Sequence, residues 1–364
     1  MKINKLFLSA FCITLLWSCS SDDGGGSDEP LGQYDNGVLV LNEGDAVSGS
    51  ITYISNDLAT VEQDVFTNVN GSSQSIGGYT QSIFMDGDKA YIISGWSNKI
   101  TIVNRYTFAY EGTISSGLAN PRYGVALDGK AYVTNLNTFD TNTDDYVAVI
   151  NLSTLTPEAP IAVNDYADKL VAHNGKLYVA NGSFGMGSHV TVIDAATKTI
   201  LTTLDMGQSP NAIGVKDDTV YVLCGAMTGD SKLVRIATVD DPDTTGEGED
   251  EEDTIESEVI FDGALVNAQN MDIDGTRFYF TVGAKIYRAA LNAVAVNDTP
   301  IINTGSTSDY IGYGFAVNNG RIYIAEATED FTSNGKVYIY STSGGSAIDT
   351  KTVGLGPNSF YFNE

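Results

Sequence analysis

The sequence predicts an all-β fold, a seven-bladed β-propeller whose last strand pairs into the first blade. Short alternating strands separated by Gly, Asn and Asp recur along the chain, whereas helical periodicity is nearly absent. A strand that carries a tyrosine recurs at a spacing typical of four-stranded propeller blades. The chain also ends on a strand, Ser359 to Asn363, that has no following partner. Together these three observations indicate a closed ring of blades.

The first 18 residues are predicted to be a lipoprotein signal peptide. Lys2 and Lys5 form a positive region, and an apolar stretch from Leu6 to Leu16 follows. This stretch is too short to span a bilayer once it is cut. The tetrapeptide that ends at Cys19 resembles a bacterial lipobox, so we expect Cys19 to be lipidated; an ordinary secretory peptide is the alternative.

Residues 19–36 are predicted to form an acidic, Gly- and Ser-rich flexible tether, because such a composition cannot bury apolar area. Serine and aspartate directly after the lipid cysteine resemble an export signal of Gram-negative surface lipoproteins. The predicted location is therefore the outer membrane, with a lipid anchor and with the domain facing the cell exterior. An ordinary linker is the alternative interpretation of the same residues.

Charge and cysteine usage exclude several functions. The predicted signal contains two of the 19 basic residues, so 17 basic and 46 acidic residues remain, a net charge near −29. Nucleic acid is a poor partner for such a surface. Cys224 is the only cysteine in the predicted propeller, at 37–364, so we expect no disulfide there. Its strand context favours a small core residue.

Six blades are visible from their repeated strands. The aligned tyrosines are Tyr91, Tyr132, Tyr178, Tyr221, Tyr279 and Tyr323, at spacings of 41, 46, 43, 58 and 44 residues. Third strands follow in phase at 99–103, 146–150, 189–193, 232–236, 285–288 and 336–340. Asp-Gly and Asn-Gly pairs precede several of the tyrosine strands, and they tolerate the positive φ that tight hairpins require.

A seventh blade is predicted at the N-terminus. Residues 37–44 align with a second strand, 50–55 with a third and 61–66 with a fourth, but no innermost strand precedes them. The segment after Pro357-Asn358 has the phase of an innermost strand, like the one that follows Pro210-Asn211. We therefore expect the last strand to complete the first blade and to leave no open edge.

An acidic loop, 240–258, is predicted to interrupt blade five. Its residues Asp241, Asp243, Thr245 and Glu252 match calcium-ligand positions of an EF-hand loop, but Pro242 and the absence of flanking helices favour a disordered loop without metal. The two histidines, His173 and His189, lack further ligands at zinc spacing. No catalytic triad or phosphate-binding loop is apparent, so we expect no cofactor and no enzymatic activity.

The predicted site lies on the propeller face where second strands end and innermost strands begin, a usual location for ligands. Aromatic, amide and charged residues occupy those loops and connections, and they suit a large flat ligand or a protein partner. For each tyrosine, packing between blades is the alternative. The candidate ligand-binding residues are Glu43, Tyr79, Gln81, Trp96, Arg122, Tyr123, Phe139, Tyr166, Phe184, Asn211, Asn270, Tyr313 and Asn358.

Residues 40 to 124 resemble the YncE-like propeller lipoproteins of the bacterial cell surface, the family that includes the cobalamin-capturing BtuG proteins. The matching segments are Leu41-Asn-Glu-Gly44, Gln63-Asp-Val-Phe66, Asn70-Gly71, Gln81-Ser82, Asn98-Lys-Ile100 and Pro121-Arg-Tyr123. The resemblance implies a seven-bladed propeller that holds a small ligand, such as a cobalamin-type corrinoid, above a TonB-dependent outer-membrane transporter.

Three classes of function therefore compete. The first is a surface lipoprotein that captures a ligand and passes it to a transporter, and the second is a non-catalytic adhesion or protein-interaction propeller. A propeller lactonase or lyase is the third, because a fold alone does not assign a function. Capture requires a concave aromatic pocket, adhesion a flat exposed patch, and an enzyme a metal or acid–base constellation in the channel.

Overall fold

The computed structural model describes residues 30–225, 229–238 and 253–363, and it confirms the seven-bladed propeller. Seven antiparallel sheets form the blades; six are built from strands that are consecutive in the chain, and the seventh combines the last strand with the first three. Blade 1 contains β1 (Gly37–Asn42), β2 (Ser50–Ser55) and β3 (Val61–Glu62). Blade 2 contains β4 (Thr80–Asp86), β5 (Lys89–Ser94), β6 (Lys99–Asn104) and β7 (Tyr110–Ile114).

Blades 3 to 5 follow the same order from the innermost strand outward. Blade 3 contains β8 (Pro121–Leu127), β9 (Lys130–Asn135), β10 (Tyr146–Asn151), β11 (Thr156–Pro157) and β12 (Ile161–Ala162). Blade 4 contains β13 (Ala167–His173), β14 (Lys176–Asn181), β15 (His189–Asp194) and β16 (Thr199–Asp205). Blade 5 contains β17 (Pro210–Lys216), β18 (Thr219–Cys224), β19 (Lys232–Ala237) and β20 (Thr254–Ile260).

Blades 6 and 7 complete the ring. Blade 6 contains β21 (Gln269–Asp274), β22 (Arg277–Val282), β23 (Lys285–Ala290) and β24 (Ile302–Asn303). Blade 7 contains β25 (Ile311–Asn318), β26 (Arg321–Glu326), β27 (Lys336–Ser341) and β28 (Asp349–Thr352), and the last strand of the chain is β29 (Pro357–Asn363). The described part of the chain contains no helix that is long and apolar enough to cross a membrane.

The last strand closes the ring as the sequence predicts. β29 lies antiparallel to β1, with Leu39 opposite Tyr361 and Gly37 opposite Asn363. The Asn363 amide donates to the Tyr34 carbonyl at 2.8 Å and to the Arg105 carbonyl at 2.7 Å, so the strand is also bound to the neighbouring blade. Closure leaves blade 1 with four paired strands and removes the open edge.

The hairpin turns and the buried core follow from the repeat. Asp128 and Gly129 both have positive φ, at 50° and 72°, as the tight turn between β8 and β9 requires. The repeated tyrosine of each second strand is buried between blades, and the hydroxyl of Tyr132, for example, donates to the Ala195 carbonyl at 3.0 Å. Cys224 is buried and unpaired, as expected, and burial raises the pKa of its thiol to about 12.

The predicted fourth strand of blade 1, at 61–66, is wrong beyond Glu62. Asp64 takes a left-handed conformation with φ 54°, which ends the strand, and a short helix, α1 (Val65–Asn70), begins. Val65 and Phe66 are buried in the core of blades 1 and 2. The apolar residues Val65 and Phe66, which suggested an outer strand, therefore belong to a helix that packs against the core of blades 1 and 2.

The boundary of the tether also moves. Residues 31–36 were predicted to belong to the tether, but Tyr34 is only 1% exposed and its ring packs edge-on against Tyr53 and Phe108. Its hydroxyl donates to Glu62 at 3.0 Å. Leu31 to Glu364 form one compact unit, so the packed chain begins before the first strand. Residues 1–29, with the predicted signal, Cys19 and most of the tether, lie outside the described residues.

The predicted acidic loop is also shorter than 240–258. Residues from Thr254 onward form β20, which pairs with β19 through Arg235 and its neighbours. The strand alternates in exposure, and its two glutamates, Glu256 and Glu258, face outward. Because these glutamates continue the acidic run in the sequence, the strand was assigned to the loop. The calcium candidates Asp241, Asp243, Thr245 and Glu252 lie outside the described residues.

Candidate functional site

Side chains reach the central channel because the register of each innermost strand is irregular at its start. The pairing shifts between Thr80 and Ser82 in β4, between Pro121 and Gly124 in β8, and between Ala167 and Leu170 in β13, and the other blades show the same feature. A bulge releases residues from the ladder and re-aims their side chains. In six of the seven blades, a second or third residue of the innermost strand lines a cavity at the channel mouth.

A cavity of about 400 Å³ lies at this mouth. The innermost strands of six blades line it, and blade 1 and blade 4 add one loop residue each. Its walls combine aromatic rings with charged and amide groups. The lining residues are Glu43, Gln81, Arg122, Tyr123, Lys169, Phe184, Asn270, Met271, Tyr313, Phe315, Asn358 and Ser359.

A second cavity of about 200 Å³ adjoins the first and shares Glu43, Gln81, Arg122 and Phe184 with it. Its remaining walls come from the loops of blades 2 and 3. The residues found only there are Tyr79, Gly95, Trp96, Asn120, Pro121 and Phe139. Shared walls make the two cavities one continuous depression at this end of the channel, which we call the central pocket.

The structure brings together eleven of the thirteen candidate residues from the sequence. Only Tyr166 and Asn211 do not line the central pocket. The Asn211 amide instead donates to the Ala268 carbonyl at 2.8 Å, in the connection to blade 6. The Tyr166 carbonyl accepts a hydrogen bond from the Ser183 amide, and its ring lies next to Gly187. Both residues therefore support neighbouring loops.

Arg122 is the centre of a polar network in the pocket. Its Nε and Nη2 atoms both lie 3.0 Å from Asp168 Oδ1, and its Nη1 donates to Gln81 Oε1 at 2.7 Å. The Gln81 amide in turn donates to the Tyr123 hydroxyl at 3.1 Å. Burial lowers the pKa of Arg122, but Asp168, Tyr123 and Glu43 together outweigh burial and the net shift is upward. Arg122 is therefore a fixed, charged group.

Glu43 and Tyr313 form a second polar pair across the pocket. The Tyr313 hydroxyl donates to Glu43 Oε2. Burial raises the pKa of Glu43, although Tyr313 and Arg122 oppose that shift. Burial also raises the pKa of Tyr313, and the nearby Glu43 charge adds to the effect. Both residues were predicted from the sequence, but their pairing joins blades 1 and 7 and was not predicted.

Sequence reasoning missed Asp168 and Lys169. These two residues occupy the same phase in β13 as Arg122 and Tyr123 occupy in β8. Lys169 lines the cavity and lies over the Tyr123 ring at 5.9 Å. The signal was therefore present, because aligning the starts of the innermost strands would have selected both residues.

Four aromatic side chains form the upper wall of the pocket. We call Tyr79, Trp96, Phe139 and Phe184 the aromatic rim. Trp96 is 61% exposed and packs edge-on against Tyr79 with 5.7 Å between ring centroids, and Phe184 is 66% exposed and lies 6.2 Å from Phe139. The Arg122 guanidinium lies 5.1 Å from the Phe184 ring centroid. The rim is therefore accessible apolar surface beside fixed hydrogen-bond donors.

Two rim residues have an unfavourable backbone conformation. Tyr79 and Phe184 have φ of 43° and 56°, in the left-handed region that bulky side chains rarely adopt. Such strain costs of order 1–3 kcal/mol and clusters at functional sites. The strain here holds two rings at the pocket mouth instead of in the core.

No group of three His, Cys, Asp or Glu side chains is arranged to hold a metal ion within residues 30–225, 229–238 and 253–363. His189 Nδ1 lies 2.9 Å from Asp165 Oδ2, and His173 Nε2 lies 3.4 Å from Asp218 Oδ1. Each histidine therefore pairs with one carboxylate and belongs to no multi-residue ligand set in that part of the chain.

Comparison with solved structures gives the same fold at low sequence identity. A hypothetical selenium-binding protein from Sulfolobus tokodaii matches with a TM-score of 0.61 and 10% identity, covering 88% of this chain and 92% of that chain. The computationally designed protein Ika8 matches with a TM-score of 0.57 and 9% identity over 92% of both chains. Apo AztD from Citrobacter koseri matches with a TM-score of 0.53 and 12% identity, covering 89% of this chain and 96% of that chain. These likenesses show the fold alone.

A search of curated proteins found no match. A family model, described as a domain of unknown function (DUF5074), matches residues 36–362. The match runs from just before the first strand almost to the end of the closing strand, so it covers all seven blades. The chain therefore belongs to the DUF5074 family.

Proposed function

We propose that this protein captures a small ligand in the central pocket and is not an enzyme. The observation that carries the proposal is the juxtaposition of an accessible aromatic rim with a cavity of about 400 Å³ that contains fixed polar groups. Ligand sites are typically concave and largely apolar, with a few positioned polar groups, and they fall in this range of volume.

The form of the pocket favours capture over adhesion. An adhesion surface would be a flat exposed patch, whereas the exposed rings here surround a depression. Capture needs no reacting group, and two of the three charged residues that line the pocket are engaged in structural hydrogen bonds, Arg122 with Asp168 and Glu43 with Tyr313. A non-catalytic adhesion propeller remains the second candidate, supported by the exposure of Trp96 and Phe184.

The resemblance to YncE-like propellers suggests the ligand class and its destination. We propose a cobalamin-type corrinoid as the ligand and a TonB-dependent outer-membrane transporter as the partner that receives it. A corrinoid is larger than the cavity, so part of it would enter while its flat ring lay on the aromatic rim. Lipidation at Cys19 would anchor the protein to the outer membrane, facing the exterior.

A calorimetric titration tests the proposal. The mature chain with Cys19→Ser is titrated with cobalamin and with its precursor cobinamide, and then Trp96→Ala and Phe184→Ala are titrated in the same way. Loss of an aromatic anchor typically costs about 2 kcal/mol, so we expect each variant to bind roughly thirtyfold more weakly.

Tyr110→Ala is the matched control, because Tyr110 is a partly exposed ring on the outer strand β7 of blade 2. We expect that variant to bind like the parent. If the parent binds neither compound, the corrinoid proposal is wrong. If binding is tight but unchanged in both rim variants, the site lies elsewhere.

A further inference from the structure

The central pocket holds two basic side chains whose surroundings differ. The positive charge of Arg122 is balanced by an ion pair, because Asp168 Oδ1 lies 3.0 Å from two of its nitrogens, and Gln81 accepts a hydrogen bond from the third. Lys169 comes from the next blade and lines the same cavity. Its Nζ atom donates to the Asn211 backbone carbonyl at 3.0 Å, which is the one acceptor it has among the described residues.

The carboxylates nearest to Lys169 are occupied by other donors. Asp168 binds Arg122, as described above. The two oxygens of Asp272 accept hydrogen bonds from the backbone amides of Ile273 and Val317 at 2.8 and 2.7 Å. No carboxylate oxygen of the described chain lies within 4.0 Å of the Lys169 Nζ atom.

An ammonium group has three N–H donors, so two donors of Lys169 have no protein acceptor in the described chain. Burial lowers the pKa of Lys169, although the charges of Asp168 and Asp272 oppose that shift. A partly buried charge without an ionic partner is costly, and an anion that binds beside it offsets the cost. The lysine is therefore better suited to a bound ligand than to the free pocket.

We propose that the ligand of the central pocket carries one anionic group, a carboxylate or a phosphate ester, which binds Lys169. This inference rests on the proposed capture function and adds the chemical class of the group that enters the cavity. Tyr123, Met271 and Phe315 supply apolar wall beside Lys169. The part of the ligand next to the anionic group therefore contacts apolar surface, and the part that extends toward the rim contacts aromatic rings.

The charge of the whole chain limits the ligand to few negative charges. The formal net charge is −27, so a polyanion is repelled as it approaches. A single anionic group loses less to this repulsion, and inside the pocket it meets one unpaired cation at short range. The class is thus an amphiphilic monoanion, not a nucleic acid or a polyphosphate.

The test uses two probes of nearly the same size and shape, the anion 2-naphthoate and its neutral amide, 2-naphthamide. Both are titrated at pH 7 into the parent chain, Lys169→Met and Lys169→Arg. A hydrogen bond to a charged group contributes about 1.5 kcal/mol or more, so we expect the parent to bind the carboxylate at least about tenfold more tightly than the amide.

We expect Lys169→Met to lose this preference and Lys169→Arg to keep it. Lys336→Met is the matched control, because it removes the same charge from an exposed position on β27 of blade 7. That control should retain the preference of the parent. Equal affinity of the parent for both probes, or a preference that persists in Lys169→Met, overturns the inference. Should Lys169→Met fail to fold, Lys169→Gln, which removes the charge but keeps a polar side chain, takes its place.

The outcomes also separate this inference from the capture proposal. If both probes bind equally and Phe184→Ala weakens both, the pocket captures ligands but does not select anions. If neither probe binds, the anion inference is wrong, and the corrinoid titration alone judges capture. If the carboxylate binds through Lys169 while corrinoids do not bind, the anionic class stands and the corrinoid identity is wrong.

Discussion

At the scale of single residues, one buried ion pair joins two blades next to the acidic segment. Lys176 Nζ of blade 4 lies 2.9 Å from Asp253 Oδ1, and the Tyr178 hydroxyl donates to Asp253 Oδ2 at 2.7 Å. Both charged side chains are almost fully buried. From the sequence, Asp253 is the last residue of a solvated acidic run, whereas in the structure it is part of the core.

We therefore predict opposite results for Asp253 and for the residues before it. Asp253→Ala removes a buried carboxylate that both Lys176 and Tyr178 bind, which should cost about 3 kcal/mol or more. Replacing residues 241–252 with a short Gly-Ser turn, while Asp253 is kept, should change stability by less than about 1 kcal/mol, because the segment is strongly acidic. Urea unfolding measures both free energies.

Glu256→Ala serves as the control, because this exposed acid lies three residues away on β20. Its free energy of unfolding should stay within about 0.5 kcal/mol of the parent. A stable Asp253→Ala protein would contradict the structural role of the ion pair.

Asp145 is a second buried acid with a measurable consequence. It is 1% exposed, Oδ2 accepts from the Ala167 amide at 2.8 Å, and Oδ1 is buried without a hydrogen-bond partner. Burial raises the pKa of Asp145 to about 6, and the charges of Asp144, Asp165 and Asp168 add to the shift. Asp145 therefore binds its proton more tightly in the folded state than in the unfolded state.

The sign of the pH dependence follows from this shift. A folded-state pKa above the unfolded value gives stability that is complete below about pH 4 and is lost as the pH rises through about 6. Asp145→Asn keeps an oxygen for the Ala167 amide and removes the charge. The variant should lack this loss and should be more stable than the parent at pH 7, by up to about 3 kcal/mol. Unfolding free energies at pH 4 and pH 7 measure the difference, and an equal pH dependence in both proteins would contradict the prediction.

At the scale of elements, the closing strand holds the ring together through more than its ladder with β1. The Ile83 amide donates to the Tyr361 hydroxyl at 2.7 Å, and the Asn358 amide donates to the Thr80 carbonyl at 2.8 Å. Arg105 donates to Asn363 Oδ1 and to the Phe362 carbonyl, both at 2.8 Å. The strand thus joins blade 1 and blade 2.

We predict that deleting residues 357–364 destabilises the whole domain. The deletion leaves one edge of β1 without its ladder partner and opens buried surface of blades 1, 2 and 7, so the loss should exceed about 5 kcal/mol, comparable with the total stability of many domains. Thermal unfolding followed by circular dichroism measures the loss.

A synthetic peptide of residues 355–364 should restore part of the lost stability by adding the missing strand, whereas a scrambled peptide should not. A truncated protein that melts at the temperature of the parent would show that closure does not depend on this strand.

At the scale of the whole molecule, the number of blades and the closure could be predicted because they depend on short sequence patterns within each blade. Each blade repeats one pattern of strand, turn and tyrosine, and each turn is specified by neighbours such as Asp128-Gly129. The last strand has no partner in the sequence pattern, and the first blade lacks an inner strand, so pairing the two satisfies both. The blade repeat and the missing inner strand of blade 1 were therefore sufficient to predict the topology.

Most positions of the site also followed from the topology, since loops and innermost strands meet at one end of a propeller. The exceptions depend on partners that are distant in sequence. Asn211 donates to the Ala268 carbonyl and does not line the pocket. Lys169 lines the pocket although it was not among the candidates, and Asp253 pairs with Lys176. A one-dimensional pattern shows where a residue lies in its blade but not which blade it faces.

The sequence by itself determined the ring, its seven blades, its closing strand and the face that carries the central pocket. Only the tertiary structure decided that Val65 and Phe66 form a helix and that Tyr34 belongs to the core. It also decided which pocket cation is neutralised and which is not. The physical reason is range: hairpins and repeats are set by neighbours a few residues apart, whereas burial, ion pairing and pKa values depend on side chains that folding brings together from different blades.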